Sequence, residues 1–235
     1  MIADANLAGD GGVWIHQVTK RYSQSPFKKI KGTVQMVLFH PKKPHFFVAV
    51  RMRRPSPPPK ASDTTPQTQT YVRLYNLSEQ KLIKTLMPGI KWISSMSVHP
   101  SGDHIIVGGY DRKLCWFDLE LNDKPYKILR SVIRPYAAAC RAADPFCRYH
   151  TRAIRSLHFH PTYPLFASSS DDGTIQIFHA RVYHDLMTDP LIVPLKILRG
   201  HTVKDGLGVL QVEWVHRQPW LLSAGADGKV DLWCS

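Results

Sequence analysis

The sequence predicts an all-β fold, an incomplete β-propeller of about four blades with part of a preceding one. The dipeptide His-Pro occurs three times, beginning at His40, His99 and His160. Each copy lies between two short apolar runs, and a turn then leads to a third run that contains or ends in an aromatic residue. A strand-turn-strand-turn-strand unit that recurs at a nearly constant interval is typical of propeller blades, in which each unit is a small antiparallel sheet.

The strands of each blade can be assigned in chain order, and we label them a to d. Residues 13–18 align with strand c of the preceding blade, and residues 26–30 are predicted to be its strand d. For the four blades that follow, the sequence predicts strand a at 34–39, 93–98, 153–159 and 209–214, strand b at 45–50, 104–108, 165–169 and 220–224, strand c at 71–76, 113–118, 174–179 and 229–234, and strand d at 82–86, 126–129 and 195–198. These runs are short and bounded by Gly, Pro, Asp and Ser, as strands are.

Turns and insertions complete the domain organisation. Asp172-Gly173 and Asp227-Gly228 carry the signal of tight b–c hairpins, because Gly accepts a positive φ and Asp bonds the nearby backbone. Residues 1–12 are predicted to be a disordered N-terminus and 13–235 a propeller portion with two loop insertions, the Pro-rich 51–70 and 131–149. Because the repeat starts within one blade and stops at strand c of another, we expect two unpaired sheet edges and further blades in a longer protein.

Composition restricts the class of protein. The 235 residues are 43% hydrophobic, enough for a buried core, and no stretch resembles a secretory signal or a membrane-spanning helix, so we expect a soluble intracellular protein. The four cysteines are scattered, which favours a reducing compartment. Cys140 and Cys147 have no second pair at zinc-binding spacing and no Gly-rich phosphate loop is present, so no metal and no cofactor are predicted.

The net charge of +13 is unevenly distributed. Residues 11–62 contain eleven Lys or Arg and no Asp or Glu. Such an asymmetry indicates a polyanionic partner, with RNA or DNA backbone as the specific reading and a solvated basic surface as the alternative. The candidate RNA-binding residues are Lys28, Lys29, Lys31, Lys42, Lys43, Arg51, Arg53 and Arg54.

One set of polar residues could suggest catalysis: His201 after Gly200, Ser223 on strand b, Asp227 in the b–c turn and Trp233 on strand c. In blades of the WD-repeat type this set is a buried hydrogen-bond network. A Ser-His-Asp triad is disfavoured because all three side chains would be locked inside a blade, away from any cleft. A diverged copy in the preceding blade, formed by His150, Ser168, Asp172 and Phe178, supports the structural interpretation.

Two further groups of residues are interpreted as structural. The histidines of the three His-Pro dipeptides are predicted to cap strand a. Four tryptophans are predicted to pack in the core or between blades rather than to stack on nucleic-acid bases: Trp92, Trp116, Trp214 and Trp220.

Several segments resemble one known family. Residues 91–100, Lys-Trp-Ile-Ser-Ser-Met-Ser-Val-His-Pro, continue through Gly-Tyr-Asp at 109–111 to Trp-Phe-Asp-Leu at 116–119. Residues 182–187, Val-Tyr-His-Asp-Leu-Met, and 189–196, Asp-Pro-Leu-Ile-Val-Pro-Leu-Lys, form a c–d connection of unusual length. With the motifs at 205–210 and 218–228, the chain resembles the C-terminal propeller of eukaryotic ribosome-biogenesis WD-repeat proteins of the Erb/Bop (block of proliferation) family. The two insertions depart from the family pattern.

This resemblance implies a non-enzymatic scaffold that acts in the nucleus, in the nucleolus and nucleoplasm. It implies a complex with pescadillo and a second WD-repeat protein, association with pre-rRNA in the pre-60S particle, and a role in maturation of the large-subunit rRNA. No membrane contact and no small-molecule substrate are implied. The alternative is a generic WD-repeat protein–protein adaptor without RNA contact, which would explain the fold but not the charge of +13.

Overall fold

The computed structural model describes residues 2–5, 12–25, 30, 32–53, 68–130, 149–182 and 191–234. Within these ranges the chain forms antiparallel sheets, three with four strands and two with three. The first strands of successive blades lie side by side. The all-β fold is therefore an incomplete β-propeller, as predicted. None of the described segments is a helix of the length and apolarity needed to cross a membrane.

The leading sheet differs from the prediction at both of its outer strands. It consists of β1 (Ile2–Ala5), β2 (Val13–Gln17) and β3 (Tyr22–Gln24), in that order. A 3-10 turn after β2, closed by Arg21 at φ 50°, reverses the chain at once and pairs β3 with β2. Of the strand predicted at 26–30, residues 26–29 lie outside the described residues. Part of the segment predicted to be disordered, β1, pairs with β2 along four residues.

Blade 1 has the strand order β4 (Thr33–Phe39), β5 (His45–Arg53), β6 (Thr68–Asn76) and β7 (Lys81–Leu86). The insertion predicted at 51–70 is too wide, because β5 and β6 continue to pair into it. The last pair joins Arg53 to Thr68. Residues 54–67 lie outside the described residues.

Blades 2 and 3 follow the prediction most closely. Blade 2 contains β8 (Ile93–Val98), β9 (His104–Gly109), β10 (Lys113–Asp118) and β11 (Lys127–Arg130). Blade 3 contains β12 (Ile154–Phe159), β13 (Leu165–Ser170), β14 (Thr174–Arg181) and β15 (Leu191–Arg199). The largest difference is β15, which begins four residues before its predicted start because it pairs with the extended end of β14. Residues 131–148, in the second predicted insertion, lie outside the described residues.

Blade 4 contains β16 (Val209–Trp214), β17 (Leu221–Gly225) and β18 (Val230–Trp233). In the described part of the chain no strand pairs with the outer edge of β18. The face of this blade that points away from blade 3 exposes three aliphatic side chains, Leu222 at 41%, Leu232 at 51% and Val230 at 71%.

The apolar core is divided into layers between neighbouring sheets. Phe47 and Phe117 lie in the layer between blades 1 and 2, and Trp116 and Phe166 in the layer between blades 2 and 3; all four are fully buried. Burying a side chain of this size stabilises a protein by about 1.5–3 kcal/mol. Stacking of each sheet on the next is therefore the main source of stability and fixes the positions of the turns.

The ends of the strands form two rims. One end carries the b–c turns and the starts of strand a, and we call it the upper rim. The opposite end carries the a–b turns, and we call it the lower rim. The upper rim includes residues 110–112, 171–173 and 226–229, and the lower rim includes residues 40–44, 99–103, 160–164 and 215–220.

Candidate functional site

The four polar residues predicted in blade 4 form one connected network. His201 Nε2 lies 2.8 Å from Ser223 Oγ, and His201 Nδ1 lies 3.1 Å from Asp227 Oδ1. The indole Nε1–H of Trp233 donates to Ser223 Oγ at 2.8 Å. Strand β17 carries Ser223, the hairpin turn carries Asp227 and β18 carries Trp233, so the network joins two strands to the segment that enters the blade.

Two glycines make room for this network. A Cβ at Gly200 would lie 2.7 Å from the ring of Trp233. A Cβ at Gly225 would collide with the His201 ring and the Asp227 carboxylate. The Gly-His dipeptide and the glycine that ends β17 are therefore required by close approach, in addition to the polar residues themselves.

The network keeps Asp227 ionised. The backbone N–H of Thr202 donates to its carboxylate at 3.0 Å, and that of Lys229 donates at 3.2 Å. The Thr202 hydrogen bond is the largest cause of a pKa lowered to about 2, desolvation opposes it, and the His201 contact adds to the lowering. A carboxylate that accepts several N–H bonds is a strong structural anchor for a turn.

The same groups are poorly placed for hydrolysis. A nucleophilic hydroxyl must reach a substrate carbonyl, whereas Ser223 is 2% exposed and the His201 side chain is fully buried. Ser223 Oγ also accepts a hydrogen bond from the indole of Trp233, which holds the hydroxyl inside the sheet. The geometry therefore favours the structural interpretation.

Blade 3 contains the predicted diverged copy. His150 Nε2 lies 2.8 Å from Ser168 Oγ, and His150 Nδ1 lies 3.1 Å from Asp172 Oδ2. Burial opposes ionisation of Asp172, but hydrogen bonds from His150, the Thr174 hydroxyl and a backbone N–H outweigh it, and its pKa lies well below the ordinary value. Phe178 replaces the tryptophan and stacks on a neighbouring phenyl ring instead of donating a hydrogen bond.

Blade 2 contains a further polar pair that the sequence analysis missed. The indole Nε1–H of Trp116 donates to His104 Nδ1 at 3.3 Å, and both residues are buried. His104 begins strand b, whereas the histidines of the other two networks precede strand a. The available signal was the spacing from the dipeptide: His104 lies five residues after His99, as His45 lies five residues after His40, and each begins strand b of its blade.

The histidines of the His-Pro dipeptides do more than cap their own strand. His40 Nδ1 accepts the backbone N–H groups of Lys42 and Lys43 at 3.0 and 2.9 Å, as the capping prediction requires. Its other nitrogen, Nε2, lies 2.9 Å from the carbonyl O of Gly102 in blade 2. His160 is the equivalent in blade 3, with its Nε2 2.9 Å from the carbonyl O of Gln218 in blade 4. The nearly constant spacing of these dipeptides along the chain was the signal for a contact between blades.

The predicted basic residues do not form one patch. Lys42 and Lys43 are exposed on the lower rim, whereas Arg51 lies at the far end of β5, on the upper rim. Arg53 ends the same strand. Four of the candidates lie outside the described residues: Lys28, Lys29, Lys31 and Arg54.

The prediction for the tryptophans is half correct. Trp116 is fully buried and Trp214 is 5% exposed, so both pack between blades as expected. Trp92 and Trp220 are 39% and 38% exposed, so their prediction as core residues is wrong. Trp92 follows β7 and precedes β8, where the chain passes over the upper rim, and the guanidinium of Arg51 lies 4.5 Å above its ring.

Among the described residues, no group of three or more His, Cys, Asp or Glu side chains is arranged to hold a metal ion. Cys115 is buried, and burial raises the pKa of its thiol to about 12, so it is unreactive at neutral pH. Cys140 and Cys147, the pair considered for zinc, lie outside the described residues.

Comparison with known proteins identifies the repeat and its relatives. The family model "WD domain, G-beta repeat" matches residues 80–118, 146–179 and 192–234. The chain is 70% identical over all 235 residues to a ribosome biogenesis protein ERB1 from Coprinopsis cinerea, of which it covers 26%. It is 50% identical over 94% of its length to ribosome biogenesis protein erb1 of Schizosaccharomyces pombe, and 47% identical over 95% to ribosome biogenesis protein bop1-A of Xenopus laevis. The chain spans about a quarter of the length of these curated relatives.

Proposed function

The chain belongs to the ERB1/Bop1 family of ribosome biogenesis proteins, and on that premise we propose that it is a non-enzymatic scaffold for maturation of the large-subunit rRNA. The observation that carries this proposal is the identity of 47–70% to relatives in fungi and a vertebrate that share the name of ribosome biogenesis protein. The likeness extends over at least 94% of the chain in each of them, so it includes the rims as well as the strands.

The buried polar networks support the non-enzymatic part. Each network holds a turn against its own blade with hydrogen bonds of about 3 Å, and its hydroxyl is enclosed. A scaffold needs a rigid set of rims, and these networks provide rigidity at the upper one.

The charge supports contact with RNA. Lys42 and Lys43 are exposed beside the buried His40, so their backbone is fixed while their side chains reach solvent. Fixed lysines can neutralise phosphates and release counterions without sequence preference. We therefore include pre-rRNA in the pre-60S particle among the proposed partners. The protein partners proposed from family membership are pescadillo and a second WD-repeat protein, and the proposed location is the nucleus, in the nucleolus and nucleoplasm.

A segment exchange tests the proposal. Residues 13–234 of this chain replace the matching segment of fission yeast erb1 in a strain whose own copy can be depleted, and the same junctions carrying the native segment serve as the control. We expect large-subunit rRNA precursors to be processed at the control rate and the chimera to co-purify with pre-60S particles. Accumulation of those precursors, with the chimera present at normal level, would contradict the proposed role.

The RNA contact has a separate outcome in the same strain. The unmutated chimera should lose association with the particle as the salt concentration of the extract rises, whereas the Lys42→Ala/Lys43→Ala chimera should associate more weakly at low salt and depend less on salt. Salt-independent association in both chimeras, with partner proteins retained, would favour the adaptor alternative over the RNA-binding scaffold.

A further inference from the structure

Four side chains form a continuous row across the upper rim from blade 1 to blade 3. The guanidinium Cζ of Arg51 lies 4.5 Å above the Trp92 ring, and the Trp92 and Tyr110 ring centroids are 6.2 Å apart at an interplanar angle of 31°. The guanidinium Cζ of Arg155 lies 4.8 Å from the Tyr110 ring centroid. We call these four residues the rim ladder.

The rim ladder is held in place by the sheet beneath it. The backbone N–H of Tyr110 donates to the carbonyl O of Trp92 at 3.1 Å. Arg155 donates from Nε to both carboxylate oxygens of Asp171, at 2.8 and 2.9 Å, and from Nη1 to the Tyr110 hydroxyl at 3.3 Å. The rings and guanidinium groups are therefore ordered before any ligand arrives, which lowers the entropy lost on binding.

The exposure of its rings distinguishes the rim ladder from core packing. Trp92 is 39% exposed and Tyr110 is 41% exposed, whereas Trp116, on the next strand of the same blade, is fully buried. Exposure alone does not define a site, since Trp220 is 38% exposed, but the rings of the rim ladder also have arginine guanidinium groups against them. A row of half-exposed rings flanked by arginines is the composition of surfaces that bind flat, anionic ligands.

Unsatisfied donors and unneutralised cations surround the row. Within the described residues, Arg51 Nε and Gln35 Nε2 are enclosed and have no hydrogen-bond acceptor. Gln35 Oε1 accepts the N–H of Ile93, which places its amide next to the residue that follows Trp92 in the chain. Both nitrogens are closed to solvent, so they mark incomplete hydrogen bonding beneath the row, and a ligand would contact the exposed groups around them.

The acids of this rim are already engaged. Asp171 is bound by Arg155, and Asp111 is paired with the Lys113 ammonium at 3.4 Å, although both of its enclosed carboxylate oxygens lack a hydrogen-bond donor. Lys91 and Arg112 are exposed and form no ion pair with a described residue. The local field around the rim ladder is therefore positive, in line with the net charge of +13.

We propose that the rim ladder binds unpaired RNA nucleotides, with bases stacking against Trp92 and Tyr110 and phosphates meeting Arg51 and the neighbouring exposed cations. This rests on the proposed RNA contact and adds to it a second surface, on the rim opposite Lys42, that recognises single strands. An acidic polypeptide would need the cations but not the exposed rings, whereas a single strand alternates flat bases with phosphates and uses both.

The test compares tryptophans of equal exposure. The whole chain is titrated against a short fluorescein-labelled oligouridylate at several salt concentrations, with variants Trp92→Ala, Tyr110→Ala, Trp92→Phe and the control Trp220→Ala, which removes an indole 38% exposed on blade 4. Loss of one stacked base corresponds to roughly ten-fold weaker binding. We expect that loss for Trp92→Ala and Tyr110→Ala, partial recovery with Trp92→Phe, wild-type affinity with Trp220→Ala, and an unchanged salt slope in all four.

Two further ligands decide between alternatives. Trp92→Ala should bind a blunt RNA duplex as tightly as wild type does, because paired bases present no free face. If Trp92→Ala lost the same affinity for the duplex as for the single strand, the stacking proposal would be overturned. The same follows if Trp92→Ala and Trp220→Ala bound oligouridylate with equal affinity. If polyglutamate binds wild type and loses affinity in Trp92→Ala to the same extent as RNA does, the rim ladder is a site for acidic polypeptide instead.

The outcomes separate this inference from the proposed function. Wild-type chain that fails to bind any RNA removes the RNA contact as a whole. Wild-type binding with a steep salt dependence but no effect of Trp92→Ala removes only the rim ladder. Thermal unfolding of each variant checks that the blade remains folded.

Discussion

The imidazole of His40 joins blade 1 to blade 2 across 62 residues of chain, because its Nε2 lies 2.9 Å from the carbonyl O of Gly102. Its Nδ1 accepts two backbone N–H groups, so the proton of the neutral ring must be on Nε2, which donates to Gly102. His160 repeats this arrangement with Gln218. A protonated ring would place an N–H at Nδ1 against the two backbone donors and would break the cap on Lys42 and Lys43, while Nε2 would still donate to Gly102.

The first prediction concerns pH. Burial lowers the pKa of His40 below its ordinary value, against the opposing hydrogen bond to Gly102, and burial likewise lowers that of His158. Below about pH 6.5 the unfolded chain binds protons that the folded protein excludes, so the free energy of unfolding should fall as pH drops from about 7 to 5. Urea unfolding at several pH values measures this.

A matched pair of variants isolates the contribution of His40. His40→Gln should be less stable than wild type at pH 7 but lose less stability on acidification, whereas His216→Gln, an exposed histidine on the lower rim of blade 4, should behave as wild type. The same pH dependence in all three proteins would show that the contact between blades is not the titrating element.

The second prediction concerns the network of blade 4. Ser223→Ala should lower the free energy of unfolding by about 1–3 kcal/mol, because it leaves the Trp233 indole and one nitrogen of His201 without their partner. Ser168→Ala should lower the free energy of unfolding by a smaller amount, because blade 3 has Phe178 in place of the tryptophan and no indole loses its acceptor. Chemical denaturation of both variants gives the comparison, and a larger loss for Ser168→Ala would contradict it.

The third prediction concerns Asp227 in acid. Its pKa of about 2 is lower than the ordinary 3.8, so its contribution is present above pH 4 and is lost as pH falls through the lowered value. Carboxyl NMR should show this titration near pH 2. In His201→Gln the titration should move upward, and an unchanged value would assign the shift to the backbone donors alone.

The fourth prediction concerns the open face of blade 4. Leu222, Leu232 and Val230 are exposed there, and the corresponding residues of blade 3 are covered by blade 4. The isolated chain should therefore self-associate as its concentration rises. Leu232→Glu should suppress this in sedimentation velocity, while Ile83→Glu, which changes a single exposed aliphatic residue on blade 1, should not. Equal association of both variants would exclude this face.

The fifth prediction concerns the lower rim. Lys42→Ala/Lys43→Ala should reduce the dependence of RNA affinity on salt by roughly 0.7–0.9 in log–log slope for each phosphate that the two lysines neutralise. Lys124→Ala/Lys127→Ala removes the same charge from exposed positions of blade 2 and is the control. If the two double variants have equal slopes, Lys42 and Lys43 lie on a solvated surface only.

The sequence was sufficient to predict the parts of the fold whose signals lie close together in the chain. Asp-Gly turns and short apolar runs located blades 2 and 3, and the spacing of Gly-His, Ser, Asp and Trp located the network of blade 4. The pairing of β3 with β2 was not predicted, because Arg21 reverses the chain with a positive φ, a conformation that turn signals assign to glycine. The extension of β5 to Arg53 was hidden because the Pro-rich insertion follows it directly.

The rim ladder could not be predicted for a different reason. Arg51, Trp92, Tyr110 and Arg155 belong to three blades and come together only when the sheets stack. Trp92 alone resembles a core residue in its local context. Its exposure depends on the path of the chain over the upper rim, which is a property of the assembled sheets.

The link from His40 to Gly102 also has a consequence for synthesis of the protein on the ribosome. At 5–20 residues per second, the carbonyl that His40 needs emerges roughly 3–12 s after His40 itself. During that interval the strands of blade 1 can pair with one another, but the face of blade 1 that packs on blade 2 is still uncovered. Each blade of the nascent chain thus passes through a period of seconds in which it is exposed to chaperones and to neighbouring chains, and translation speed sets the length of that period.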